Sequence, residues 1–145
     1  MLMERKKVIL VETVTALFIL LFVYAATSKI IDFEKFNVEL GKSPMLNFFP
    51  GTVAIAVPVI EFGIVILLIV KRFQYFALYC SFSLMVMFSV YIFIILKFSS
   101  YIPCSCGGIL ENMTWIQHLF FNIVFVVLGG VAILIYPLNK RPYLQ

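Results

Sequence analysis

The stretch FQYFALYCSFSLMVMFSVYIFIIL, Phe73–Leu96, contains no charged residue. A helix needs ~20 apolar residues, rising ~1.5 Å each, to cross ~30 Å of hydrocarbon, and this run is long enough. A membrane strand would be about half as long and would alternate in polarity, which this run does not. Backbone groups cannot stay unpaired in lipid, so a span of this kind has to be helical. Working outward, three further runs meet the same condition: roughly Val8–Ser28, Gly51–Val70 and Trp115–Tyr136. The expected fold is all-α, a single membrane domain over residues 1–145 built as an integral four-helix bundle.

Composition agrees. Hydrophobic residues make up 63% of the chain and charged ones 12%, more apolar surface than a soluble domain of this size needs. The basic residues sit mostly at the ends of apolar runs, where membrane topology puts them. That excludes a nucleic-acid footprint and makes the lipid bilayer the first partner. The N-terminal run also has the layout of a secretory signal. Ala25-Ala26-Thr27 is a poor cleavage site, however, and Glu12 interrupts the run, so it is read as a retained span.

Lys and Arg near span ends set orientation. Arg5, Lys6, Lys7, Lys71, Arg72, Lys140 and Arg141 fall on one side of the four spans. The other side carries Lys29, Lys35, Lys42 and Lys97, offset by Asp32, Glu34, Glu39 and Glu111. Both termini are therefore expected in the cytoplasm of a bacterial cell, with the chain in its inner membrane. Loops Lys29–Pro50 and Lys97–Thr114 then face the periplasm. In the first of these, Ile30, Ile31, Phe33, Phe36 and Leu40 are interspersed with charges. That pattern predicts a short amphipathic helix in the interface, ended by Ser43-Pro44.

The second outer loop holds Pro103-Cys104-Ser105-Cys106-Gly107-Gly108. An oxidising compartment allows such a pair to make and break a disulfide. Cα atoms two residues apart on an extended chain lie roughly 6.6–7.2 Å from each other, at the edge of what a disulfide tolerates. The backbone has to bend, and the glycines that follow permit it. A strained bridge is more oxidising, and so short a loop gains little entropy from a permanent staple. Spacing alone leaves three readings open: a redox pair, a half-site for Cu(I) or Zn, or a staple. Cys80 lies about six residues into the third span from the inner side, roughly 9 Å deep. It is too far from the loop for a disulfide and reads as a small buried hydrophobe.

Thr114-Trp115-Ile116-Gln117 has the pattern of a capping box and starts the fourth helix at Trp115. His118, Asn122, Phe125 and Gly129 then share one stripe. His118 and Asn122 can hold a cofactor head group under the cysteine loop, or hydrogen-bond neighbouring helices. His118 can also stabilise a thiolate. Glu61, in mid-span between Pro58 and Gly63, has to face the bundle interior and is a candidate proton relay. Glu12, nearer the inner interface, is expected to reach Lys6 or Lys7.

These residues resemble a known family. The four spans, Ala26-Thr27-Ser28-Lys29 at the end of the first, Asp32-Phe33-Glu34-Lys35-Phe36, Ser43-Pro44 and Glu61-Phe62-Gly63 resemble the DoxX-like superfamily. The segment from Pro103 through Gly108, followed by Trp115, His118-Leu119 and Asn122, is similar to the MauE-like, redox-associated branch found in Bacteroidetes. The resemblance implies a four-helix membrane protein, and the methylamine-utilisation member of the family is linked to maturation of a disulfide-rich periplasmic dehydrogenase. Other relatives are subunits of thiosulfate:quinone oxidoreductases. The architecture is also similar to the vitamin K epoxide reductase and DsbB bundles, which pass electrons between thiols and a quinone. This chain has Cys-x-Cys where those enzymes have Cys-x-x-Cys, and no second outward cysteine pair.

The expected function is that of a thiol–disulfide oxidoreductase. Cys104 and Cys106 exchange with a periplasmic thioredoxin-like protein or thiol substrate, and a quinone is held near Trp115, His118 and Asn122. The alternatives are a non-enzymatic anchor or assembly subunit of a larger complex, and Cu or Zn handling by the cysteines with His118.

Overall fold

The computed structural model describes residues 2–98 and 114–136. Among these the regular structure is all helical, joined by short turns: α1 (Leu2–Ile31), α2 (Phe33–Lys42), α3 (Pro50–Ile69), α4 (Gln74–Phe98) and α5 (Trp115–Ile135). Four of them, α1, α3, α4 and α5, are long and apolar enough to cross a membrane. The expected spans and the amphipathic segment are all present, with bounds that agree closely except at the start of α1. That helix begins six residues earlier than Val8. Glu4, Arg5, Lys6 and Lys7 are good helix formers, and Lys7 pairs with Glu4 one turn away at 3.4 Å.

The long helices form a closed ring in which α1 packs on α3 and α5, and α4 packs on α3 and α5. Each neighbour in the ring runs antiparallel to the next, because the chain turns back at alternate ends. The main core lies inside this ring. On α1 it uses Val11, Val14, Phe18 and Phe22 at helical spacing, met by Ile64, Val65 and Leu68 of α3, Ala77, Leu78 and Met85 of α4, and Phe125 and Ala132 of α5. Phe18 stacks beside Phe22 at 5.8 Å and meets Phe125 edge-on at 5.4 Å. Gly129 lets α5 approach, since a Cβ there would lie 3.2 Å from Phe18 Cζ. The outward faces are as apolar as the inner ones, with Leu20, Ile66, Phe120 and Leu134 all exposed. Water would not favour that surface, whereas lipid does.

Four hydroxyls inside the spans are satisfied within their own helices. Thr13, Thr15, Ser81 and Ser89 each donate to the carbonyl four residues back at 2.8 Å. At one end of the bundle Gln74 donates to Thr15 at 3.3 Å, and Tyr136 donates to Gln74 at 3.5 Å, joining α1, α4 and the end of α5. At the same end Lys71 meets Glu12 at 2.8 Å. This corrects the expected partner of Glu12. The short turn between α3 and α4 brings Lys71 across, while Lys7 is taken by Glu4. Helix α2 lies at the opposite end. It buries Phe36 and Leu40 against Ala54 of α3, and it stops at Ser43, which is fully buried and accepts a hydrogen bond from Tyr91 of α4 at 2.9 Å.

Candidate functional site: a polar-floored cavity at the α2 end

The α2 end of the bundle encloses a cavity of about 390 Å³, within the range typical of small-molecule sites. Its apolar walls include Phe22, Val57, Met85, Phe88, Ile92 and Phe121, and α2 contributes Phe36 and Leu40. Its polar groups come from all five helices, with Glu39 of α2 and Tyr91 of α4 among them. Lys29 is near the end of α1, Glu61 is midway along α3, and Trp115, His118 and Asn122 occupy the first turns of α5.

Lys29 and Glu61 form an ion pair, with Nζ at 2.8 and 3.1 Å from the two carboxylate oxygens. The Glu61 side chain is 1% exposed and that of Lys29 12%. Helix direction explains how they meet. Side chains lean toward the N-terminus of their own helix. Lys29, near the C-terminus of α1, therefore leans down into the bundle, and its Nζ also donates to Ala25 O at 3.3 Å. Glu61 on antiparallel α3 leans up toward the α2 end. The ammonium lies 6.0 Å from the centroid of the Phe36 ring, a cation–π distance. Glu61 faces the interior as expected, and sequence reading missed its partner. A usable signal was present: one basic residue ends the first span, and one acidic residue lies within the next.

The start of α5 is built as the sequence predicts. Thr114 Oγ1 accepts from the Gln117 backbone at 3.3 Å, and the Gln117 side chain accepts from the Thr114 backbone at 2.9 Å. This capping box fixes the helix phase, so His118 and Asn122 point inward and Phe125 and Gly129 continue the buried stripe. The Trp115 and His118 rings lie 6.2 Å apart. His118 Nδ1 is buried with no hydrogen-bond partner among the described residues. Asn122 is 4% exposed and lies on the cavity lining.

Trp115, His118, Asn122 and Glu61 therefore line one cavity. Cys104 and Cys106 lie outside the described residues. The flanks of their segment, Phe98 and Thr114, are the ends of α4 and α5 at the α2 end. Cys80 is a free, half-buried thiol against the main core, as expected of a small hydrophobe. No cluster of three or more His, Cys, Asp or Glu suited to a metal ion occurs among the described residues. The metal alternative depends on cysteines that are not among them.

A family model described as methylamine utilisation protein MauE matches residues 7–135. The chain belongs to the MauE family. The match takes in every span, the cysteine segment and the whole cavity lining, so the site lies within the MauE-family region. No curated protein and no solved structure matches the chain.

Proposed function

We propose that this MauE-family protein is a thiol–disulfide redox protein of the bacterial inner membrane. Its termini are cytoplasmic and its α2 end is periplasmic, following the distribution of Lys and Arg. Cys104 and Cys106 exchange with a periplasmic thioredoxin-like protein or folding substrate. A partner thiolate attacks the Cys104–Cys106 disulfide, a mixed disulfide forms, and a second partner thiol releases it. The partner gains a disulfide and the pair becomes a dithiol. Reoxidation takes two electrons and two protons away from that dithiol. Trp115, His118 and Asn122 would hold a membrane quinone, which would supply the two-electron, two-proton acceptor for that dithiol, with Glu61 and Lys29 placed to carry protons.

The observation that supports this reading most is the cavity itself. It lies at the same end of the bundle as the flanks of the cysteine segment, and it combines apolar walls with hydrogen-bonding groups. Thiol trapping in cells tests the exchange. Cys104 and Cys106 are expected to cycle between reduced and oxidised forms, and Cys106→Ser is expected to accumulate a mixed disulfide through Cys104. If both thiols stay fully reduced while partner disulfides form normally, the reading fails. Retained function in the Cys104→Ser/Cys106→Ser chain would favour an anchor subunit instead.

A further inference from the structure

The charges around the cavity are already balanced. Lys29 is paired with Glu61. Glu39, also on the lining, is paired with Lys42 at 3.1 Å. A charged occupant would have to remain unpaired among apolar walls or break the Lys29–Glu61 pair, and both are costly in a low-dielectric site. The hydrogen-bonding capacity is not balanced. Asn122 and His118 lie one turn apart on α5 and face the cavity. The Nδ1 of His118 is a buried atom without a partner among the described residues, and Asn122, almost wholly buried, lines the same cavity one turn deeper. Buried polar groups are normally satisfied, so a missing partner here points to an occupant that supplies one.

We infer that the cavity is a binding site for an uncharged amphiphile: an apolar body lying among Phe22, Met85, Phe88 and Phe121, and a carbonyl or hydroxyl oxygen hydrogen-bonded by Asn122 and His118. The Lys29–Glu61 pair acts as the selectivity element. It presents a closed, neutral floor that excludes fatty acids and cationic amphiphiles. Two sources carry this chemistry, a quinone and a neutral lipid such as a long-chain alcohol or glyceride. The quinone source rests on the redox reading above, whereas selection for a neutral head group does not.

Trp115, the chain's one tryptophan, lines the cavity and serves as a built-in reporter. The experiment uses the full chain with Cys104→Ser/Cys106→Ser in detergent micelles, so loss of thiol exchange cannot affect the result. Three bromine-tagged probes of one chain length differ only in head group: 11-bromo-1-undecanol, 11-bromoundecanoate and an 11-bromoundecyl trimethylammonium salt. A decyl-substituted benzoquinone is the fourth. Saturable quenching of Trp115 is expected from the alcohol and the benzoquinone, with both charged probes at least about tenfold weaker. Asn122→Leu is expected to weaken binding of the neutral probes by about tenfold, the scale of one lost hydrogen bond. A benzoquinone that outcompetes the alcohol identifies the quinone as the source, and equal binding identifies a neutral lipid. Quenching that rises linearly and equally for every head group, or a carboxylate that binds as tightly as the alcohol, overturns the inference. The head-group comparison needs no substitution in the cavity, so it stands even if Asn122→Leu does not fold.

Discussion

Removing one half of the Lys29–Glu61 pair should destabilise the bundle, and removing both should not. At about 3 Å and an effective dielectric of ~20 the attraction is roughly 5–6 kcal/mol before desolvation, and taking both ions out of water cancels much of that. The net value of the pair is therefore small, while the penalty for stranding one partner is large. The two partners are not equivalent. Glu61 is 1% exposed and midway along α3, so Lys29→Met leaves a carboxylate with nowhere to go, at a cost of about 3–5 kcal/mol. Lys29 is two residues from the end of α1 and 12% exposed. In Glu61→Leu its long stem can carry the ammonium out to the interface, so the cost falls to about 1–3 kcal/mol. The double variant Lys29→Met/Glu61→Leu is expected within about 1 kcal/mol of the parent or above it. Unfolding in mixed micelles by rising SDS fraction, followed by circular dichroism, measures all four corners of the cycle. If the single losses add to the double within about 0.5 kcal/mol, the pair is not coupled and the account of the cavity floor is wrong.

Other expectations follow from features of different burial. Glu12→Gln should cost under about 1 kcal/mol by the same unfolding assay, because its pair with Lys71 is more than half exposed on both sides. Gly129→Val should lower stability by about 1–3 kcal/mol, since Phe18 is held by Phe22 and Phe125 and cannot give way. Phe18→Leu in the same chain should recover part of that loss. Thr114→Ala should cost about 1 kcal/mol by removing the cap of α5, while Thr114→Ser should be nearly silent. In cells, Cys80→Ser should leave thiol trapping of Cys104 and Cys106 unchanged, because Cys80 packs as part of the core.

The four spans were legible because each is an apolar run of bilayer length, and no tertiary detail is needed to see that. The start of α5 was legible for a local reason: a Thr and a Gln three residues apart set the helix phase, and the phase places His118, Asn122, Phe125 and Gly129. The end of α2 at Ser43-Pro44 was equally local. What escaped was nonlocal. Lys29 and Glu61 are 32 residues apart, and their meeting depends on two antiparallel helices whose side chains lean toward each other. Charge counting had assigned Lys29 to the loop, where it would have been only a topology signal. The Glu12–Lys71 pair and the Tyr91–Ser43 bond depend in the same way on which helices become neighbours. The cysteine pair remains a reading of sequence, since it lies outside the described residues.

The Lys29–Glu61 pair also bears on how the protein is made. An isolated acidic or basic side chain at the middle of a span raises the cost of insertion by about 2.5–3.5 kcal/mol. Synthesis runs from the N-terminus, so the helix carrying the ammonium is already lodged in the bilayer when the one carrying the carboxylate leaves the ribosome. The counter-ion is waiting, and the later segment can partition as half of a hairpin and not alone. A rearranged gene that delivered the third helix first would remove that advantage, even though the finished molecule would be the same.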